Sequence, residues 1–197
     1  MVIRSFLAFE LPYNIKRMVR QVSEHIRRSN LNVRWVNVDN IHLTVVFMGN
    51  IRKEDIPAIK GQIRKACMEF GPFDIELNGL GVFPNVQRPR VLWLGLDGDI
   101  ERMSSLKSAL QELLKPFGIK EEKRSFRPHL TMGRFRKPNR GDSTLDNIIS
   151  QYKDLDGPVC QLKELIMFKS ELKREGAEYT KMESWPLPGV IQPQEDV

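Results

Sequence analysis

The tetrapeptides His42-Leu43-Thr44-Val45 and His129-Leu130-Thr131-Met132 are nearly the same, and together they use two of the chain's three histidines. Each opens an apolar run closed by glycine, HLTVVFMG at 42–49 and HLTMG at 129–133, which reads as a strand. Side chains alternate across a strand, so His42 and Thr44 leave one face while Leu43 and Val45 leave the other. His129 and Thr131 alternate in the same way with Leu130 and Met132. The apolar pair anchors each strand to a core, and the polar pair looks outward.

Outward from these strands the chain follows one plan twice. A strand at 3–11 leads into an amphipathic helix carrying Ile15, Met18, Val19, Val22 and Ile26, with Asn14 as its expected cap. A short segment at 33–36 precedes the first motif strand. A helix with Ile56, Ile59 and Ile63 follows, tolerating Pro57 in its first turn. A long strand at 73–83 is kinked by Gly79 and Gly81. The order then restarts: strand 91–96, a helix with Ile100, Met103, Leu106, Leu110 and Leu113, the second motif strand at 129–135, a weaker helix at 145–152 and a strand at 159–168.

A slide of 87 residues aligns Phe6 with Trp93, His42 with His129, and Phe73 with Cys160. The expected architecture is α+β, bilobal and duplicated: two antiparallel or mixed sheets with outer helices around a central cleft. Residues 1–188 are expected to form one bilobal domain with pseudo-symmetric halves at about 1–86 and 87–188, and residues 189–197 a flexible polar tail. A two-fold relation between the halves would bring both His-x-Thr pairs to one point in the cleft.

The length of 197 residues suits one domain, and 41% apolar against 28% charged residues supports a full core. A disordered chain and a disulfide-stapled miniprotein are both excluded. The net charge of +6 favours anionic partners such as RNA. Cys67 and Cys160 have no CxxC spacing, so neither a disulfide framework nor a zinc ribbon is indicated. The opening residues lack a signal-peptide pattern, and no apolar run approaches the roughly 20 residues that span a bilayer. A cytoplasmic, soluble monomer with no membrane partner is the expectation.

Imidazole titrates near neutral pH, so two of them at one site can do opposite jobs. When water attacks a phosphodiester, a neutral His takes the proton of the water and an imidazolium protonates the departing ribose oxygen. The hydroxyls of Thr44 and Thr131 can donate to the non-bridging oxygens, where charge builds. The scheme needs no metal and no cofactor. Two histidines without a neighbouring carboxylate or cysteine cluster also make a poor zinc site. Cys67 in an amphipathic helix and Cys160 in an apolar strand read as small buried hydrophobes, not nucleophiles.

At these residues the chain resembles the 2H phosphoesterase superfamily, and within it the RNA 2′,3′-cyclic phosphodiesterases also described as 2′-5′ RNA ligases. The likeness rests on RSFLAFELP (4–12), HLTVVFMGN (42–50), GVFPNVQRPRVLWLGL (81–96), FRPHLTMGR (126–134) and LIMFKSEL (165–172). It implies hydrolysis of RNA ends, or of small 2′,3′-cyclic nucleotides, to 2′-phosphomonoesters without metal. It also implies that His42 is the proton donor and His129 the proton acceptor, a choice the symmetry of the two motifs leaves open. Met132 stands where the family more often has Leu, a volume-conserving change. Ligation through a 2′-5′ linkage and non-catalytic binding of RNA ends are the alternatives.

Arg134 follows the second motif at an odd offset from His129, so strict alternation turns it away; a bulge at Gly133 would bring it back to contact phosphate. Arg127 lies two residues before His129 and is a candidate RNA contact. Phe83 with Arg88 and Arg90 could stack a base and hold a backbone phosphate. His25, near the end of the first helix, reads as structural, and the mixed charges at 120–124 as a solvated loop.

Overall fold

A computed structural model describes residues 1–136, 143–173 and 176–189 of the chain. Among these residues the elements run β1 (Val2–Glu10), α1 (Tyr13–Arg27), β2 (Val33–Trp35), β3 (His42–Arg52), α2 (Ile56–Cys67), β4 (Phe73–Phe83), β5 (Val91–Gly98), α3 (Ile100–Leu114), β6 (His129–Phe135), α4 (Ser143–Gln151), β7 (Cys160–Leu162), β8 (Glu164–Lys173) and β9 (Gly176–Pro186). The strands make two sheets, ordered β3-β1-β8-β9 and β2-β6-β5-β4-β7, and the paired strands are antiparallel throughout. This is the bilobal α+β architecture expected from the motifs.

The sheets do not follow the halves of the chain, as the repeat alone would suggest. β4, from the first half, pairs with β5 in the second sheet, while β8, from the second half, pairs with β1 in the first. The first half therefore lends β2 and β4 to the second sheet, and the second half lends β8 and β9 to the first. Residues 159–168, expected as one strand, are divided at Lys163: β7 finishes the second sheet and β8 opens in the first. β9 is not legible in the sequence, because this edge strand is polar on both faces, with only Trp185 buried.

The 87-residue slide holds for the motif strands but not for their neighbours. Thr44 faces Ala8, and Thr131 faces Trp93, so β1 maps onto β5 at 85 residues and Trp93 occupies the place of Ala8, not of Phe6. Phe73 and Cys160 are likewise not symmetry mates; they lie in the adjacent strands β4 and β7, where Ile75 pairs with Cys160.

Local chemistry sets the helix ends. Asn14 is not the cap of α1: Pro12 precedes the helix at φ −58°, its carbonyl accepts from the Lys16 N–H, and Asn14 lies in the first turn. Pro57 sits at the start of α2, where no helical N–H partner is needed. Ile15, Val19, Val22 and Ile26 bury one stripe of α1 in the core. Gly79, at φ +70°, marks the irregularity in β4 between Leu77 and Leu80.

One core cluster takes helix stripes together with residues of both sheets, including Leu43, Leu92, Leu94, Leu130 and Met132. Phe6, Ala8, Ile166 and Phe168, with Tyr179 against them, form a separate apolar cluster. His25 is structural: its Nδ1 shares a hydrogen bond with the Tyr152 hydroxyl, tying α1 to the chain just after α4. Gly189 donates its N–H to the Phe70 carbonyl; the rest of the expected tail, 190–197, lies outside the described residues. No helix among the described residues is long and apolar enough to cross a membrane.

Candidate active site

β3 is the edge of the first sheet and β6 the penultimate strand of the second, and these two motif strands approach within 8 Å between Cα atoms. Leu43 and Leu130 are fully buried, as are the flanking core positions, so the His-x-Thr side chains face away from the main core. Alternation set by two buried leucines thus turns His42 and Thr44 of one strand, and His129 and Thr131 of the other, away from that core.

Both imidazoles are held in the same way. Nδ1–H of His42 donates to the Asn40 carbonyl at 2.9 Å, and Nδ1–H of His129 donates to the Arg127 carbonyl at 2.7 Å. A carbonyl can only accept, which places the proton on Nδ1 and leaves Nε2 of each ring for chemistry. Arg127, a candidate from the sequence, thereby contributes its backbone, while its side chain stays exposed.

Aromatic rings surround both histidines. His42 stacks on Phe6 with centroids 4.7 Å apart and meets the edge of Tyr179 at 5.1 Å. His129 meets Phe83 at 5.0 Å and Trp93 at 6.4 Å, both edge to face. Phe83 therefore packs on a motif imidazole and on Trp93. Arg88 and Arg90 stand exposed on the loop beyond it, where the Arg90 N–H closes onto the Phe83 carbonyl.

The rings dry the imidazoles, and this desolvation lowers both histidines below the usual value of 6.5. The hydrogen bonds to Asn40 and Arg127 act the other way. The remaining charges break the symmetry. His42 pairs across β1 with Glu10, whose carboxylate raises it, whereas His129 lies near Arg134, whose guanidinium lowers it further. Glu10 is in turn held by Lys181 at 2.7 Å. Sequence reading misses Glu10, since nothing along the chain reveals that it will sit opposite His42.

Arg134 reaches this face by a bulge. Leu92 pairs with Gly133 but Trp93 with Thr131, leaving Met132 as the extra residue, so Arg134 pairs with Val91 on the side of Thr131. β3 has the same device at Val45: Leu7 pairs with Val46 but Ala8 with Thr44, and Phe47 then returns to the face of Thr44. Phe47 and Arg134 are therefore symmetry mates.

Trp93 needs room that two glycines supply. A Cβ on Gly81 would lie 2.3 Å from the Trp93 ring, and one on Gly95 would lie 3.3 Å from that ring and 2.3 Å from the Asn78 carbonyl oxygen. Gly81→Ala is expected to displace the indole from His129 and destabilise the fold by about 1–3 kcal/mol, read as a lower urea midpoint at unchanged m. A wild-type midpoint would mean that the indole moves freely.

Among the described residues no three His, Cys, Asp or Glu side chains cluster as a metal site would require. Both thiols are buried, and burial pushes Cys67 up to about 12 and Cys160 up to about 11.

The geometry agrees with what the chain is similar to. The family model described as the 2′-5′ RNA ligase superfamily matches residues 16–174. An RNA 2′,3′-cyclic phosphodiesterase of Methanothermobacter thermautotrophicus is 30% identical over 187 residues, covering 95% of this chain and 100% of the relative. One of Methanocaldococcus jannaschii is 30% identical over 182 residues, covering 92% and 99%. Among solved structures, TT0787 of Thermus thermophilus superposes with TM-score 0.78 at 24% identity, covering 95% of this chain and 100% of that one. E. coli LigT complexed with 3′-AMP superposes with TM-score 0.74 at 21% identity, covering 95% and 99%. With a family match over most of its length, this chain belongs to the 2′-5′ RNA ligase superfamily.

Proposed function

We propose that this protein is an RNA 2′,3′-cyclic phosphodiesterase that opens the cyclic phosphate to a 2′-phosphomonoester by two-histidine acid–base catalysis. The observation that carries the reading is the pair of imidazoles with both Nδ1–H groups tied to backbone carbonyls and opposite charges beside them. Two equivalent histidines would be interchangeable. Glu10 favours the imidazolium of His42, and Arg134 favours neutral His129.

His129 Nε2 takes a proton from water as the water oxygen bonds to phosphorus. The P–O3′ bond breaks, and O3′ receives the proton of His42 Nε2. Each proton transfer is typically worth about 10² to 10⁴ in rate. Thr44 and Thr131 hydroxyls and the Arg134 guanidinium stabilise the non-bridging oxygens as charge grows on them. No step uses a metal. The substrate is an RNA end or a small 2′,3′-cyclic nucleotide, handled by residues 1–188 as one bilobal, monomeric, cytoplasmic domain.

The test is a 2′,3′-cyclic-phosphate oligonucleotide incubated with the protein in EDTA, with the product assigned by phosphorus NMR. A 2′-phosphomonoester is expected. A strict metal requirement, or a 3′-phosphate product, would overturn the mechanism. Adding a 5′-hydroxyl RNA to the same reaction separates ligation, in which that hydroxyl replaces water; unreacted cyclic ends would favour a binding module.

A further inference from the structure

The carbonyls that hold the two histidines are themselves held differently. Asn40 ends a short helical turn, Val38–Asn40, in which the Asn37 side chain accepts from the Asp39 N–H at 3.1 Å, Asn40 donates to the Asn37 carbonyl and Ile41 to that of Val38. Hydrogen bonds of its own turn thus fix the carbonyl that orients His42. Arg127 lies in no such turn. Residues 119–128 belong to no helix or strand, and the carbonyl that orients His129 sits near the end of that irregular run.

The hold on the second carbonyl comes from α3. Its buried stripe reads Met103, Leu106, Lys107, Leu110 and Leu114, so a lysine stands where the helical period calls for an apolar side chain. Lys107 is only 7% exposed. Its Nζ lies 5.3 Å from the ring centroid of Phe126, which also packs on the main core. Glu122, whose carboxylate accepts from the N–H and the Nε of Arg124 at 3.1 Å, is close enough to feel the same ammonium. A cation over an aromatic face gains most where water is excluded, as it is around Lys107. The core and the ammonium together therefore hold Phe126, and its neighbour in the chain is Arg127.

We propose that Lys107 is a positioning residue for His129: by fixing Phe126 it fixes the Arg127 carbonyl, and with it the orientation and the Nδ1–H tautomer of the imidazole. The kinetic consequence rests on the phosphodiesterase reading above. With the carbonyl displaced, His129 loses the bond that keeps Nε2 free of a proton, and fewer rings can accept one. That bond also favours the imidazolium, so its loss moves the acid limb to lower pH, while Arg134 goes on acting as before. His42, on its own turn, keeps its tautomer and its limb.

The experiment records imidazole nitrogen NMR spectra and pH–rate profiles of Lys107→Met, Lys107→Arg, Phe126→Leu and the double variant Lys107→Met/Phe126→Leu. Methionine replaces the buried charge with an apolar chain of similar length, and Glu122 is exposed, so the fold should keep or gain stability, which urea midpoints verify. In Lys107→Met and in Phe126→Leu, His129 is expected to populate both neutral tautomers while His42 keeps its proton on Nδ1. Turnover should fall about ten- to a hundred-fold with KM within about two-fold, and the acid limb should move down. The double variant should be no slower than the slower single one, and Lys107→Arg should behave as wild type. A lone Nδ1–H tautomer at His129 in Lys107→Met, equal changes at His42, or losses that multiply in the double variant would overturn the proposal. Wild-type protein inactive on 2′,3′-cyclic phosphates would overturn the phosphodiesterase reading instead, and the tautomer spectra would still decide the role of Lys107.

Discussion

Alanine in place of His42 or of His129 is expected to lower turnover of a 2′,3′-cyclic phosphate by about 10²- to 10⁴-fold each, with the fold retained. Both rings leave the main core untouched, since the buried anchors of their strands are Leu43 and Leu130. The pH dependence distinguishes the two roles. A base must be neutral and an acid protonated, so with the proposed roles kcat/KM of the wild type should fall at low pH through His129 and at high pH through His42. Because burial lowers both groups, the maximum should lie below the ordinary imidazole value of 6.5. His129→Ala should abolish the acid limb of the residual activity, and His42→Ala the alkaline limb. Loss of the opposite limbs would exchange the roles.

The second large effect concerns the charges that make the two histidines unequal. Arg134→Gln removes the guanidinium proposed to stabilise the developing phosphate charge and is expected to cost about 10²- to 10³-fold in turnover. It also removes the cation that depresses His129, so the acid limb should move to higher pH. Glu10→Gln removes the carboxylate that raises His42, and the alkaline limb should move to lower pH. Both displacements should shrink in high salt, because Arg134 and Glu10 are exposed. Limbs that stay in place in both variants would show that neither charge sets the division of labour.

The motif strands are legible because their information is local. A period of two, two buried leucines and a repeated His-x-Thr suffice to send the His and Thr of each motif to the face opposite its leucine. The tautomers follow almost as locally, since each Nδ1–H reaches a carbonyl only two residues upstream. Gly133 hints at a bulge, and the bulge is found at that step of β6, with Arg134 turned inward by it. By contrast, the 85-residue relation of β1 to β5 cannot be read from a uniform slide of 87, because pairing register depends on bulges formed against another strand.

The duplicated strand plan, the two imidazoles with their hydroxyls, and through these the superfamily, are all written along the chain and can be read there. The strand exchange between lobes, the partnership of Glu10 with His42 and the match of Phe47 with Arg134 exist only once the chain is folded. Those features join residues far apart in the chain, and antiparallel pairing within each sheet is what places such residues on one face. Symmetry is encoded twice in the chain. The charges that make the two histidines unequal reside in their neighbours, Glu10 beside His42 and Arg134 beside His129.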